Sequence, residues 1–123
     1  MNLVDSSGWL EYFADGKNAG FFAPPIQDIR NLACSTINIH EVFKKILEQK
    51  DENGALEAIA AMQQARVVDF NSALAISSAG LSYELKLSMA DSIILATARS
   101  LKATLWTQDS HFANLPDVKY IPK

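Results

Sequence analysis

Short, mostly apolar runs punctuate the chain at Leu3-Val4, Leu32–Ser35, Val67-Val68, Thr104–Trp106 and Val118–Ile121, and between them apolar residues recur every three or four positions. The first pattern predicts buried strands, the second amphipathic helices. Asp5-Ser6-Ser7 supplies N-caps for a helix carrying Trp9, Leu10, Tyr12 and Phe13 that ends near Asp15-Gly16. Residues 17–31 are broken by Gly20 and Pro24-Pro25 and predict only one or two short helical turns. Thr36 caps a helix through Ile37, Val42, Phe43, Ile46 and Leu47 to about Gln49, which Asp51–Gly54 breaks. A further helix spans Ala55–Gln64, with Leu56, Ile59 and Met62 inward, and residues 71–86 form another through Leu74, Ile76, Ala79 and Tyr83, weakened by Gly80. The last long helix runs from Met89 to Leu101, and Asp109–Ala113 predicts a short turn of helix. Strands alternating with helices predict an α/β fold whose mostly parallel sheet is covered on both faces.

One stretch breaks this tidy separation of apolar from polar. In Met89–Ala98, Ser88 stands three residues before Asp91 in a near-capping-box pattern, and Asp91 shares a helix face with Ile94, Leu95 and Ala98. A carboxylate thus heads a stripe aimed at the core, where an unpaired charge is costly. It calls for a cationic partner.

The bulk numbers set bounds. At 123 residues, 49% hydrophobic and 20% charged, the chain suits one globular domain over residues 1–123. The net charge of −3 argues against a protein that holds nucleic acid through a broad basic surface, but not against an enzyme acting on phosphates. The start Met1–Asp5 has no signal-peptide pattern and no apolar run is long enough to span a bilayer, so a cytoplasmic protein without membrane contact is expected. Cys34, the single cysteine, reads as core packing.

In a parallel sheet, ligands gather beyond the carboxyl ends of the strands. Asp5 follows the first strand, Glu41 lies in the second turn of the helix after the second, Asp91 opens its helix and Asp109 follows the fourth strand. Each acid has a local role open to it: Asp5, Asp91 and Asp109 at helix N-termini, Glu41 pairing with Lys45. Capping alone leaves an acid at the head of an apolar stripe unexplained. Two carboxylates about 4 Å apart repel by roughly 4 kcal/mol at an effective dielectric near 20, so converging acids want a cation or a shared proton. Oxygen ligands suit Mg²⁺ or Mn²⁺, and metal-assisted phosphodiester hydrolysis follows as the reaction class.

Four stretches carry a resemblance to a known family: Val4–Ser7 with Trp9 behind it, Asn38–Phe43 around Glu41, Ala90–Ile94 around Asp91, and Thr107–Phe112 around Asp109. In order and spacing they resemble the acidic motifs of the PIN-domain nucleases, and most closely the VapC toxins of bacterial toxin–antitoxin pairs. The resemblance spans essentially the whole chain. It implies a three-layer αβα fold with a five-stranded parallel sheet in the order 3-2-1-4-5, with Asp5, Glu41, Asp91 and Asp109 as the Mg²⁺ or Mn²⁺ site. It further implies endonucleolytic cleavage of RNA, with tRNA or rRNA as the target, a VapB-like antitoxin as partner, and a homodimer. Ser7 and Thr107 match small hydroxyl positions near the site. Many relatives carry an acid where this chain has His111, which is therefore not counted as a ligand, and His40 is expected to point away from Glu41.

Trp9, Tyr12 and Phe13 lie at i, i+3 and i+4, the spacing of a core stripe, while the resemblance offers them a place in an apolar groove that receives the antitoxin. Substrate grip would come from scattered basic residues such as Lys44, Lys45 and Arg99, each of which also reads as a solvated surface charge. Rivals are a PIN-type RNA-processing nuclease without an antitoxin, a binding module without turnover, and a phosphoryl-accepting receiver. The last wants adjacent acids after the first strand and a Lys on the last, whereas Asp5 stands alone and Lys123 is terminal.

Overall fold

The computed structural model describes residues 1–123. Five strands, β1 (Asn2–Val4), β2 (Leu32–Ser35), β3 (Arg66–Val68), β4 (Thr104–Thr107) and β5 (Val118–Tyr120), form one sheet in the order β3-β2-β1-β4-β5, every neighbouring pair parallel. Six helices connect them: α1 (Ser6–Phe13), α2 (Ala19–Gln27), α3 (Thr36–Gln49), α4 (Glu52–Met62), α5 (Ser72–Leu85) and α6 (Met89–Ser100). The expected sheet order is the observed one. No helix is long and apolar enough to cross a membrane.

The central strand shows why the sheet needs cover on both sides. Successive side chains on a strand face opposite ways, and both Leu3 and Val4 are fully buried. Val4 joins one core with Trp9, Phe22, Ile26, Cys34, Val42 and Met62, supplied largely by α1 to α4. Leu3 joins the other with Ile94, Leu95, Ala98, Leu105 and Phe112, supplied largely by α6 and β4. Helix α6 is buried continuously from Ser92 to Ala98, and its polar members turn inward on the helix itself: Ser92 Oγ donates to the Met89 carbonyl and Thr97 Oγ1 to that of Ile93, each at 2.7 Å.

Several local readings need correcting. The segment with Pro24-Pro25 is a nine-residue helix, α2, rather than isolated turns. Phe22 and Ile26, four residues apart, are 0% and 7% exposed, and burial worth about 1.5–3 kcal/mol apiece offsets much of the roughly 3 kcal/mol that each of the two interior prolines costs. The cap of α3 is Ser35, not Thr36: Ser35 Oγ accepts from the Ile37 N–H while Asn38 Oδ1 accepts from the Ser35 N–H. Helix α4 begins inside the expected break, with Asp51 Oδ1 accepting from the Gly54 N–H at 2.7 Å. It turns Ala55, Ala58 and Met62 inward and leaves Leu56 exposed, because alanines let it approach its neighbours closely. Helix α5 likewise buries Leu74 and Ser78, with Leu81 and Leu85 partly covered, and leaves Ile76 and Tyr83 77% and 80% exposed.

Gly8 is required for space. A methyl group there would stand 2.6 Å from Phe22 and 2.7 Å from Val4, inside the α1–α2–β1 contact. Gly8→Ala is expected to lower stability by about 1–3 kcal/mol, the usual cost of overpacking, seen as a reduced urea midpoint at unchanged slope. An unchanged midpoint would mean that the Phe22 ring simply moves aside.

Candidate metal centre

The sheet order reverses between β1 and β4, since β2 and β3 extend one way and β5 the other. At such a switch point the connections leave in opposite directions and open a crevice beyond the strand ends. Asp5 follows β1 and caps α1, its Oδ1 accepting from the Ser6 N–H at 2.8 Å. Its Oδ2 accepts from Thr107 Oγ1 at 2.8 Å and from Ser7 Oγ at 3.1 Å. Thr107, the last residue of β4, also accepts from the Asp109 N–H at 2.9 Å, so one hydroxyl ties the two strand ends together. Asp109 caps a short 3-10 turn (Ser110–Phe112) through the His111 N–H at 2.9 Å, and the buried Phe112 anchors that turn.

Asp91 sits in the first turn of α6, its N–H donating to Ser88 Oγ at 3.2 Å. It meets the β4 end through the 3-10 turn: His111 Nδ1 is 3.1 Å from Asp91 Oδ2 and 3.4 Å from Asp109 Oδ1. Ligand-type atoms of Asp91, Asp109 and His111 all lie within 4.8 Å of one another. His111 therefore belongs to the cluster from which the sequence reading left it out. Its signal was two residues beyond Asp109, a spacing that means little until the 3-10 turn folds the ring back.

The carboxyl of Asp5 is 4% exposed. Burial pushes it up to about 6, against the hydrogen bond from Thr107, and the nearby charge of Asp91 pushes the same way. His111 is raised from its ordinary value, first by its hydrogen bond to Asp91 and then by the charges of Asp109 and Asp91. Negative charge concentrated around a buried acid, with oxygen and imidazole donors at its mouth, fits a divalent cation.

Glu41 lies outside the compact group. Ser6 Oγ donates to its Oε1 at 2.7 Å and accepts from Asn38 Nδ2 at 2.9 Å, so the buried Ser6 and Asn38 orient it. It opens onto a cleft of about 450 Å³ lined also by His40, Lys44, Lys45, Met89 and Ala90. Gln108 and Asn18, both buried and neither singled out by the sequence, brace the site from behind. Asn18 Nδ2 donates to Gln108 Oε1 at 2.9 Å and to the Pro122 carbonyl at 3.0 Å, and Gln108 Nε2 donates to the Ser7 carbonyl at 3.3 Å.

Among the remaining expected residues, Trp9 is 1% exposed and serves the core. Phe13 lines a second cleft, of about 330 Å³, with Leu10, Ala14, Ile46 and Ala58, while Tyr12 is half-buried outside it. Arg99 stands at the far end of α6 from Asp91 and borders a different cleft, with Lys102 and Asp117. Eight helical residues, about 12 Å, separate it from Asp91, and it does not line the cleft that Glu41 opens onto.

Acids converging at the switch point of a parallel αβα sheet, in a chain whose residues 3–118 match the PIN domain model, make the site of a metal-dependent phosphodiester hydrolase. The chain belongs to the PIN domain family. Among solved structures it is similar to a toxin–antitoxin complex from Klebsiella pneumoniae, with 27% identity, 97% of this chain and 96% of that one covered, and a TM-score of 0.79. It is also similar to VapC20 of Mycobacterium tuberculosis, described as a sarcin–ricin loop cleaving toxin, at 16% identity over 94% and 95% of the chains with a TM-score of 0.80. FitAcB from Neisseria gonorrhoeae follows at 19%, 98%, 96% and 0.75. No curated protein sequence matches significantly.

Proposed function

We propose that this protein is a Mg²⁺- or Mn²⁺-dependent endoribonuclease toxin that hydrolyses RNA phosphodiester bonds and is inhibited by a cognate antitoxin. The observation that carries this reading is the convergence of Asp91 and Asp109 on one point, with the buried Asp5 tied to it through Thr107, in a PIN-family chain. When bound, the cation supplies Lewis acidity for a phosphoryl oxygen and acidifies water. Asp91 and Asp109, with the buried Asp5 tied to them through Thr107, would hold it. Glu41, whose Oε1 accepts from Ser6 Oγ, would support the cation from the neighbouring cleft. Ser7 and Thr107 fix the Asp5 carboxylate rather than reach substrate. Lys44 and Lys45, on the cleft that Glu41 shares, suit the phosphates of an RNA strand.

The toxin reading draws on the Klebsiella structure, a toxin–antitoxin complex, and on VapC20, described as a sarcin–ricin loop cleaving toxin, whose substrate supports a looped RNA as target. The apolar cleft bordered by Leu10, Phe13 and Ile46 suits a helical antitoxin segment, and the exposed Ile76 and Tyr83 on α5 suit a second copy of the chain. Cytoplasmic location is part of the same proposal.

Incubating the purified protein with total RNA and with tRNA, with and without Mg²⁺, tests the reading. Discrete cleavage is expected only for the wild type with metal, and not for Asp5→Asn. Cleavage that survives EDTA or Asp5→Asn, or RNA left intact with excess Mn²⁺, overturns it.

A further inference from the structure

We infer that His111 is itself a ligand of the metal, and that its imidazole nitrogen biases the centre toward Mn²⁺ over Mg²⁺. The inference rests on the metal-dependent reading above and concerns which atoms make the site. Neighbouring donors around one six-coordinate ion with bonds of about 2.1 Å sit roughly 3 Å apart. Nδ1 of His111 is 3.1 Å from Asp91 Oδ2 and 3.4 Å from Asp109 Oδ1, each close to the separation of neighbouring donors on one ion, and the three groups lie within 4.8 Å of one another.

The ring is not there because it is buried. Its side chain is 68% exposed, so packing does not choose its position. The 3-10 turn does: the His111 N–H is bound to Asp109 Oδ1 and the next residue, Phe112, is fully buried, which aims the intervening side chain back at the acids. An ion pair at so exposed a ring adds little, which is a weak reason for one nitrogen to approach two carboxylates.

The donor set has a chemical consequence. Carboxylate and water suit Mg²⁺ and Mn²⁺ alike, whereas an imidazole nitrogen favours transition ions over Mg²⁺. A site with oxygens from Asp5, Asp91 and Asp109 and one nitrogen from His111 therefore separates two ions that an all-oxygen site would treat more evenly.

Mn²⁺ itself is the probe. Pulsed electron paramagnetic resonance of the Mn²⁺-loaded wild type is expected to show nitrogen-14 coupling of a directly bound imidazole, retained in His40→Ala and absent in His111→Ala. His111→Asp, which restores an oxygen, is expected to keep Mg²⁺ binding while its preference for Mn²⁺ falls at least about tenfold, the scale of losing even an indirect partner of a ligand. Mn²⁺ bound without nitrogen coupling overturns the inference and leaves the metal-dependent reading standing. An unchanged preference in His111→Asp also overturns it. Failure of the wild type to bind Mn²⁺ at all sinks both.

Discussion

Replacing Asp91 with asparagine is expected to cut metal-dependent RNA cleavage at least about a hundredfold, the scale on which one preorganised electrostatic contact acts. The metal-free protein is expected to stay as stable as the wild type, or to gain slightly. Three contributions decide the second half. Asparagine forfeits a favourable charge in the first turn of α6, worth about 0.3–1 kcal/mol, and an exposed pair with His111 worth little more. Against these, it relieves the Asp91 charge that helps to hold the Asp5 proton. The cap survives, because Ser88 Oγ binds the backbone N–H of residue 91 and not its side chain. Urea unfolding in EDTA reads the balance: a loss of several kcal/mol would mark Asp91 as a structural residue first, whatever its effect on cleavage.

The second expectation concerns Asp5 and pH. Its carboxyl titrates at about 6 in the folded chain against an ordinary value of 3.8, so the folded state binds the proton more tightly than the unfolded one. Stability from this group is therefore full below about pH 4 and falls as the pH rises through 6, by about 3 kcal/mol once the carboxylate is ionised. Asp5→Asn removes the ionisation and keeps the cap, its oxygen still accepting from the Ser6 N–H, while its amide replaces Oδ2 by donating to the Ser7 or Thr107 hydroxyl, whose own proton then loses that acceptor. In EDTA near pH 8 the variant is expected to exceed the wild type by up to about 3 kcal/mol, a gap that closes by pH 4. If the wild type is the more stable one at both pH values, the hydrogen bonds outweigh the buried charge and the centre is not strained without its cation.

Both expectations place instability where function needs it. Asp5 is buried among groups that orient it but carry no positive charge. Its ordered hydrogen bonds lower its proton affinity less than burial raises it. A bound divalent cation reverses that sign, so metal binding and stability rise together.

Much of this was written locally. Leu3-Val4 followed by Asp5, and Thr104–Thr107 followed by Asp109, identify buried strands that end in acids, because strand burial and N-capping both depend on a few adjacent residues. The order of elements, the parallel sheet and the awkward position of Asp91 at the head of Ile94, Leu95 and Ala98 follow from periodicity in the same way. Where the period was ambiguous the chain alone did not decide. In α5 the residues Leu74, Ser78, Leu81 and Leu85 compete with Ile76, Ala79 and Tyr83 for the inward face; both sets have helical spacing, and the first is the one turned toward the core. In α4 the alanines won over Leu56, since close approach between helices favours small side chains.

The sequence by itself determined the strands, the order of the elements and where Asp5 and Asp109 follow strand ends, since each rests on patterns among near neighbours. Only the tertiary structure decided that Asp91 and Asp109 meet, that His111 stands between them, that Glu41 is turned by Ser6 and Asn38, and that Arg99 borders a different cleft. Those facts depend on the sheet reversing between β1 and β4 and on a single 3-10 turn pinned by Phe112. Such geometry brings together residues separated by tens of positions, and no local pattern of apolar and polar residues encodes it.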